Sequence, residues 1–182
     1  MTTGMPSAAA DVFPLLQQQF GEAIRGATLD AIDPWIEVAG ERLVEVCLAL
    51  RDAPAFRFEF LNCLSGVDYS TKPVKKGTKL TFTEHVEVVY HLTSFTHRKR
   101  LVLKVVLPRW KDDAAGHLPT CPSVAAVWRT AEWHEREIYD LVGVEFTGHP
   151  DLRRILCPDD WVGHPLRKDY EMPLEYHDIR GR

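Results

Sequence analysis

The middle of the chain alternates apolar and polar residues with a period of two. Apolar side chains occupy one parity between positions 82 and 92, and the alternation recurs between positions 101 and 107. The polar stretch from Ser94 to Arg100 separates the two runs. Strands with one buried face show this pattern, so we predict a half-buried antiparallel hairpin. Its apolar face comprises Phe82, Val86, Val88, Tyr90, Leu92, Leu101, Leu103, Val105 and Leu107.

Three other segments have the apolar spacing of amphipathic helices. The first helix is predicted over positions 12–20, with Gly21 at its end, and the second over positions 41–51. The third is predicted to follow Ser123, a residue type that caps helix N-termini, and to end at Gly143. The positions that recur at helical spacing are Leu43, Val46, Cys47 and Leu50 in the second helix and Val127, Ala131, Ile138 and Leu141 in the third.

Weaker patterns mark three further segments. Phe56, Phe58 and Phe60 alternate with charged residues, which predicts a strand entering the core. The stretch from Ser70 to Thr78 contains proline, glycine and lysines, which predicts an exposed loop. From Val144 onwards the chain has many prolines and little periodicity, so we expect it to be extended.

These elements together predict an α+β fold, with a mostly antiparallel sheet, helices packed on one face and an extended C-terminal arm. We divide the chain into an N-terminal segment with a short helix (residues 1–27), an α+β domain (residues 28–147) and the arm (residues 148–182).

Composition excludes several classes of function. The 182 residues have a net charge of −4 and a pI of about 6.1, so we expect no nucleic-acid partner. No run of about 20 apolar residues is present, so we expect no segment that spans a bilayer. The first 20 residues contain neither Lys nor Arg, which argues against a secretory or mitochondrial leader and favours a cytoplasmic location.

The cysteines give no indication of a redox centre. Cys47, Cys63, Cys121 and Cys157 are widely spaced, without the close pairs that zinc and iron–sulfur sites use. Cys47 and Cys63 stand in apolar stretches and are predicted to be core residues. Glycine-rich nucleotide-binding motifs are also missing. We therefore expect no cofactor and no metal in this chain.

The segment Glu132–Gly143 (EWHEREIYDLVG) concentrates charge on a predicted helix. Glu132–Arg136 and Arg136–Asp140 have the spacing of ion pairs on a solvated helix face, which is the simpler interpretation. The alternative is that its carboxylates are catalytic acids and bases. Glu135 and Glu137 would point about 200° apart on a helix, so they cannot converge on one substrate, and we predict no catalytic residue here.

A Gly-His-Pro triplet occurs twice, at 148–150 and at 163–165, and a basic pair follows each. The triplets are either turns with exposed charges, or part of a metal site formed by His149, Cys157 and His164, or part of an arm that presents arginines and Trp161 to a partner. The gaps between those three residues are longer than structural metal sites use, and Arg and Trp dominate interface energetics. We favour the third interpretation.

In that interpretation the basic pairs, Arg153–Arg154 and Arg167–Lys168, contact acidic groups of a neighbouring subunit. Asp169 is expected to form a local ion pair with one of these basic side chains.

The segment from Glu135 to Tyr170, EREIYDLVGVEFTGHPDLRRILCPDDWVGHPLRKDY, resembles closely the pattern of the C-type subunit of respiratory complex I. The strand Val88–Leu92 (VVYHL) and the stretch Ser123–Trp128 (SVAAVW) resemble the same family. The likeness covers roughly residues 30 to 175. The positions that match the pattern, and that we expect at a partner interface, are Glu135, Arg136, Glu137, Asp140, Gly143, Gly148, His149, Pro150, Asp151, Leu152, Arg153, Arg154, Trp161, Gly163, His164, Pro165, Leu166, Arg167, Lys168 and Asp169.

The resemblance implies a non-catalytic structural subunit in the peripheral arm of a proton-translocating NADH:quinone oxidoreductase, on the cytoplasmic side of the bacterial inner membrane. Such a subunit packs against the D-type subunit, which forms the quinone site, and against its cluster-bearing neighbour, and supports electron transfer from NADH to quinone. FMN, iron–sulfur clusters, NADH and quinone are used by other subunits. The alternatives are the equivalent subunit of a membrane-bound hydrogenase or alternative-donor dehydrogenase, and, less favoured, a free-standing enzyme.

Overall fold

A computed structural model describes residues 5–70 and 82–180 of the chain. Its helices are α1 (Ala9–Phe20), α2 (Leu43–Asp52) and α3 (Ala131–Leu141). Its strands are β1 (Ile24–Thr28), β2 (Trp35–Val38), β3 (Phe60–Tyr69), β4 (His85–Ser94), β5 (Lys99–Pro108), β6 (Thr120–Pro122), β7 (Glu145–Thr147), β8 (Glu175–Tyr176) and β9 (Ile179–Arg180). The three-residue 3-10 turns are Gly21–Ala23, Gly40–Arg42 and Lys111–Asp113.

Five strands form one sheet in the order β1-β2-β5-β4-β3. The β2–β5 pair is parallel and the other three pairs are antiparallel. The buried residues of all three helices join one core with the apolar face of β4 and β5. The predicted α+β fold, mostly antiparallel with helices on one face, is therefore confirmed.

The predicted antiparallel hairpin is confirmed, and the structure gives its register. β4 pairs with β5 from His85 opposite Pro108 to Ser94 opposite Lys99. Of the predicted apolar face, only Phe82 is exposed, because it precedes β4. The polar face is also half covered, since Lys104 Nζ lies 2.8 Å from Glu87 Oε2 and both side chains have little exposure.

The first two helices agree with the periodicity. In α2, the four positions predicted to share a face are all buried. The helix α1 ends before Gly21 as predicted but begins three residues earlier than expected, at Ala9. Its start is fixed by a contact that is distant in sequence, because the Ala8 N–H donates to the Arg100 carbonyl at 2.8 Å.

The predicted start of the third helix is wrong. Ser123 does not cap α3, which begins at Ala131; its hydroxyl instead accepts from the Ala125 N–H in a preceding turn. The predicted end is confirmed, since Gly143 has a φ of +77°. A Cβ at this position would lie 2.6 Å from the His164 ring, so glycine is required for two reasons.

The phenylalanine segment differs from prediction. Phe56 and Phe58 are buried, as a strand entering the core would bury them, but they precede β3 in irregular chain. Arg57 between them has a φ of +48°, which interrupts extended geometry. Phe60 begins β3 and is exposed. The loop predicted after Ser70 lies outside the described residues.

The segment after β7 is largely irregular, apart from the short β8–β9 hairpin. Within residues 5–70 and 82–180, no helix is both long and apolar enough to cross a membrane.

Glycine allows α3 to pack closely on β3. A Cβ at Gly66 would lie 2.8 Å from the Ile138 side chain and 3.1 Å from that of Val142. Gly66→Ala should therefore force α3 away from the sheet and lower the free energy of unfolding by about 1–3 kcal/mol. Urea denaturation measures this effect. Gly26→Ala is the matched control, because it lies in strand β1 with no atom within 4 Å of a built Cβ. Equal stabilities of the two variants would contradict the close packing.

Candidate functional site

The arm predicted from the sequence lies against α3 and β3 and is held there by buried charges. We use "the arm" for its described residues, 148–180. Three clusters, here called anchors, fix it to the rest of the chain. They are centred on Glu135, on Asp140 and on Asp68, and these three carboxylates are buried.

The first anchor forms around Glu135, whose residue is 0% exposed. Its carboxylate accepts hydrogen bonds from the Ser123 hydroxyl at 2.5 Å and from the Val124 N–H at 2.7 Å. Burial raises the pKa of Glu135 to about 7, and the two hydrogen bonds only partly offset this effect. Glu135 therefore holds the loop before α3 in place and titrates near neutral pH.

His149, from the first Gly-His-Pro triplet, joins this anchor to the arm. Its Nε2 lies 3.9 Å from the Glu135 carboxylate and 2.9 Å from the Glu132 carbonyl. Its Nδ1 accepts from the Asp151 N–H at 3.0 Å. An accepting Nδ1 carries no proton, so Nε2 is the protonated nitrogen and donates to the carbonyl. The ring is thereby fixed in one orientation at the start of the arm.

The second anchor is a carboxylate surrounded by backbone donors. Asp140 accepts hydrogen bonds from three successive N–H groups, residues 155–157, at 2.7–3.0 Å. The Arg154 guanidinium lies 2.6 Å from its other oxygen. Burial alone raises the pKa of Asp140, but these hydrogen bonds outweigh it and lower the pKa to about 2. The carboxylate is thus ionised across the physiological range.

Arg136 and Arg154 hold the same bend of the arm through backbone carbonyls. Arg136 donates to the carbonyls of Arg153 and Arg154, at 3.2 and 3.1 Å, and its guanidinium lies 5.2 Å from the Trp133 ring centre. Arg154 also donates to the Gly163 carbonyl at 2.9 Å. The predicted ion pairs from Arg136 to Glu132 and Asp140 are wrong, since its guanidinium contacts the arm instead. A solvated face is also wrong, because Glu135, Arg136 and Asp140 are buried.

His164, from the second Gly-His-Pro triplet, packs against the end of α3. Its Nδ1 donates to the Asp140 carbonyl at 3.0 Å, and its ring fills the space left open by Gly143. Burial lowers the pKa of His164 and favours the neutral ring.

The third anchor ties the arm to the edge strand β3. Asp68 forms a bidentate pair with Arg109, at 2.8 and 2.9 Å, and accepts the Lys168 N–H at 2.8 Å. Asp169 lies 2.8 Å from the same arginine, which was not expected, and 3.7 Å from Arg167 Nε, which is the expected local ion pair. Burial by itself raises the pKa of Asp68. The contacts with the Arg109 guanidinium and the Lys168 N–H together have a larger, opposite effect, so the pKa lies below its ordinary value.

The Arg167 side chain is buried beside the third anchor. It is 6% exposed and donates to the carbonyls of Val142 and Arg109, at 3.2 and 3.0 Å. Its guanidinium lies 3.6 Å from the ring centre of Trp110. Burial lowers the pKa of Arg167, because the charged form is desolvated.

The expectation that all four basic side chains are available to a partner is wrong for two of them. Arg154 and Arg167 make the contacts described above within this chain. Arg153 pairs with Asp151 at the surface, 2.9 Å away, and Lys168 is exposed. Arg154 turns inward to the Asp140 carboxylate and the Gly163 carbonyl, and Arg167 turns inward to the carbonyls that follow α3 and β5.

The other positions of the family pattern divide by exposure. Gly143 is buried together with Glu135, Arg136, Asp140 and Arg167. The partly exposed positions are Leu152, Arg154, Trp161, Gly163, His164 and Pro165, with His149 also in this class. The exposed positions are Glu137, Gly148, Pro150, Asp151, Arg153, Leu166, Lys168 and Asp169.

The metal interpretation required His149, Cys157 and His164 to converge. Both rings instead contact carbonyl groups of α3, and the Cys157 N–H donates to Asp140. In the part of the chain that the structure describes, no cluster of three His, Cys, Asp or Glu side chains could hold a metal ion. Cys47 is buried, as predicted, while Cys63 is only partly so.

The arm exposes several large apolar side chains. Six large hydrophobic residues on it are 57–85% exposed. They are Leu156, Val162, Leu166, Met172, Leu174 and Ile179. Leu166 belongs to the family pattern and was expected at an interface. The other five were not predicted, because they follow no helical or strand period and their only signal is large apolar residues among prolines and charges. Exposed apolar residues clustered in one segment mark a surface for another macromolecule.

The tip of the arm is braced by its own contacts. The Tyr176 hydroxyl donates to Asp160 at 2.8 Å, and His177 Nε2 lies 2.6 Å from the same carboxylate. The Trp161 and Tyr176 rings lie 5.0 Å apart. The hairpin β8–β9 is therefore fastened to the middle of the arm, and the apolar side chains are presented on a closed loop of chain.

Comparison with known proteins gives a consistent result. Residues 36–176 match the family model described as the respiratory-chain NADH dehydrogenase 30 kDa subunit. The C-type subunit of NADH-quinone oxidoreductase from Chlorobium phaeobacteroides is 40% identical, over 99% of this chain and 98% of its own length. The same subunit of a Roseiflexus species is 45% identical, over 91% and 86%.

The relatives differ in length. The corresponding subunit of Chloroherpeton thalassium is 38% identical over 92% of this chain, which spans only 63% of that relative.

Among solved structures, the membrane-bound sulfane sulfur reductase, an archaeal respiratory membrane complex, contains a chain with a TM-score of 0.67. That likeness covers 91% of this chain and 87% of the other at 20% identity, so it shows a shared fold only.

The raised pKa of Glu135 predicts a specific pH dependence. The ordinary value is 4.5 and the folded value about 7, so the folded chain holds this proton more tightly than the unfolded chain. The stability that this proton contributes is fully present below the ordinary pKa. It is lost as the pH rises through the folded pKa, which lowers the free energy of unfolding by roughly 3 kcal/mol. Glu135→Gln should remove this loss.

Urea denaturation at about pH 5 and about pH 8 measures the difference. Glu137→Gln, on the exposed side of the same helix, should keep the wild-type dependence. If the free energy of unfolding changed with pH equally in wild type and in Glu135→Gln, the raised pKa of Glu135 would be contradicted.

The second anchor predicts that Asp140→Asn destabilises the isolated chain. Removing one partner of a buried ion pair typically costs about 3–5 kcal/mol, because the other charge stays desolvated. Thermal melting should show this loss, and the amides of residues 155–157 should exchange faster with deuterium. The matched control is Asp151→Asn, whose partner Arg153 is at the surface, and it should melt like wild type. Protected amides in Asp140→Asn would show that another contact holds the bend.

Proposed function

The chain belongs to the family of the respiratory-chain NADH dehydrogenase 30 kDa subunit, and on this basis we propose that it is a non-catalytic structural subunit of a proton-translocating NADH:quinone oxidoreductase. Its place in that complex is the peripheral arm, on the cytoplasmic side of the bacterial inner membrane. It packs against the D-type subunit at the quinone site and the cluster-bearing chain beside it. Through this packing it supports electron transfer from NADH to quinone.

The observation that carries the proposal is the apolar outward side of the arm. Burying one Leu, Ile, Val or Met side chain contributes about 1.5–3 kcal/mol, so six of them can hold a subunit in an assembly. The anchors support the same function, because they fix the arm in one shape before it meets a partner. A preformed surface loses less conformational entropy on binding than a flexible one.

The charged side chains of the signature segment are used for this positioning. Of the carboxylates that a catalytic interpretation would need, Glu135 and Asp140 are occupied by Ser123, by backbone N–H groups and by Arg154. Glu137 lies on the exposed side of the helix, away from both. We propose that flavin, iron–sulfur clusters, NADH and quinone are bound by other subunits. A chain of the membrane-bound sulfane sulfur reductase has the same fold, so a complex that takes electrons from a donor other than NADH is the second candidate. Genes for flavin- and NADH-binding subunits beside this one would favour the first candidate.

The proposal predicts that an altered arm blocks assembly without unfolding the subunit. Val162 and Leu174 are 85% and 78% exposed, so Val162→Asp with Leu174→Asp should leave the melting temperature of the isolated chain unchanged. The same variant should fail to enter the complex, because two charges would be buried in an apolar interface. Native-gel migration and NADH:quinone activity of membranes measure assembly.

The matched control is Ile32→Asp, a residue that is 97% exposed but lies outside the arm. This control should assemble normally. A complex of normal size and activity with the double variant would overturn the docking role of the arm.

A further inference from the structure

The exposed charges of the arm are mostly acidic. Between positions 156 and 180, the exposed acidic residues outnumber the exposed basic ones. The exposed acids are Asp159, Asp160, Asp169, Glu171, Glu175 and Asp178. Asp160 is paired with His177 and Asp169 with Arg109, which leaves Asp159, Glu171, Glu175 and Asp178. The exposed bases are Lys168 and Arg180, since Arg167 is buried under the third anchor.

Folding makes the exposed charge of the arm more acidic, because it turns two of the arm's arginines inward. The sequence shows two conspicuous basic pairs, but Arg154 and Arg167 are bound to Asp140 and to the carbonyls of Val142 and Arg109. Arg153 is exposed, yet it is paired with Asp151. What remains exposed is the set of six large apolar side chains of the arm, here called the apolar strip, with carboxylates between them in the sequence. A partner that contacts this strip must offer a complementary potential.

We propose that the surface receiving the arm is an apolar groove with a basic border, on another protein subunit of the same complex. This inference rests on the proposed function and specifies the chemistry of the partner. The apolar floor accommodates the side chains around Val162 and Leu174, and the basic border faces Glu171 and Glu175.

Charge also decides between a protein and a lipid surface. The cytoplasmic leaflet of a membrane is anionic and attracts segments rich in Lys and Arg. The arm carries the opposite charge, with Glu171, Glu175 and Asp178 between and beside its exposed apolar residues Met172, Leu174 and Ile179. Such a segment is repelled by an anionic bilayer, so a groove in a basic protein surface is the partner that fits both properties.

Charge reversals of each sign test the proposal. The probe is the membrane complex purified from a strain that lacks this chain, to which the full chain is added back. Glu171→Lys with Glu175→Lys should weaken rebinding about tenfold at about 0.05 M NaCl and less than about twofold at about 0.5 M NaCl, because salt screens exposed charges. Lys168→Glu with Arg153→Glu, the matched reversal of the opposite sign, should leave rebinding equal or tighter. Thermal melting of each isolated variant shows whether the fold is retained.

The outcomes separate this inference from the proposed function. Weaker rebinding of the Lys168→Glu and Arg153→Glu variant, with no effect of the glutamate reversals, would mean an acidic partner and would overturn the inference alone. The proposed function itself fails only if Val162→Asp with Leu174→Asp rebinds normally. Binding of the isolated chain to vesicles with about one third anionic lipid, lost on that same apolar substitution, would assign the strip to the membrane and also overturn the inference.

Discussion

Three buried carboxylates give shape to a segment that has almost no regular secondary structure. An irregular arm cannot satisfy its own backbone groups as a helix or sheet does, so each bend needs a partner. Asp140 supplies acceptors for three N–H groups at one bend, and Asp68 supplies one more at Lys168. Arg136 and Arg167 complete the arrangement by donating to carbonyls. Removing these charges would leave the arm without a defined path across the domain.

Local patterns predicted those parts of the fold that local interactions determine. The hairpin of β4 and β5 follows from a period of two and the buried face of α2 from a helical period, and the structure has both. Gly143 ends α3 for the reason expected of a glycine in left-handed geometry. In each case the deciding contacts lie within a few residues or within one pair of neighbouring strands.

The errors come from residues whose partners are distant in the chain. Ser123 looks like a helix cap, but its hydroxyl is also bound by Glu135, twelve residues later. The i,i+4 spacing of Arg136 and Asp140 suggested an ion pair, yet carbonyls and N–H groups of residues 153–157 bind both more effectively. The direction of Arg167 could not be predicted either, since it depends on Trp110 and on carbonyls from two other segments. Of the candidate site, its location in the arm was therefore predictable, whereas the inward direction of its charges was not.

The contact between Asp68 and Lys168 joins residues that are 100 positions apart. Closing a loop of this length carries a large entropic cost before any contact compensates for it. Because synthesis runs from the N-terminus, Asp68 leaves the ribosome 100 residues before Lys168, whose N–H completes its hydrogen bonds. A chain truncated before position 168 would lack the N–H that completes the hydrogen bonds of Asp68, so its Asp68–Arg109 pair would be less stable than in the full structure.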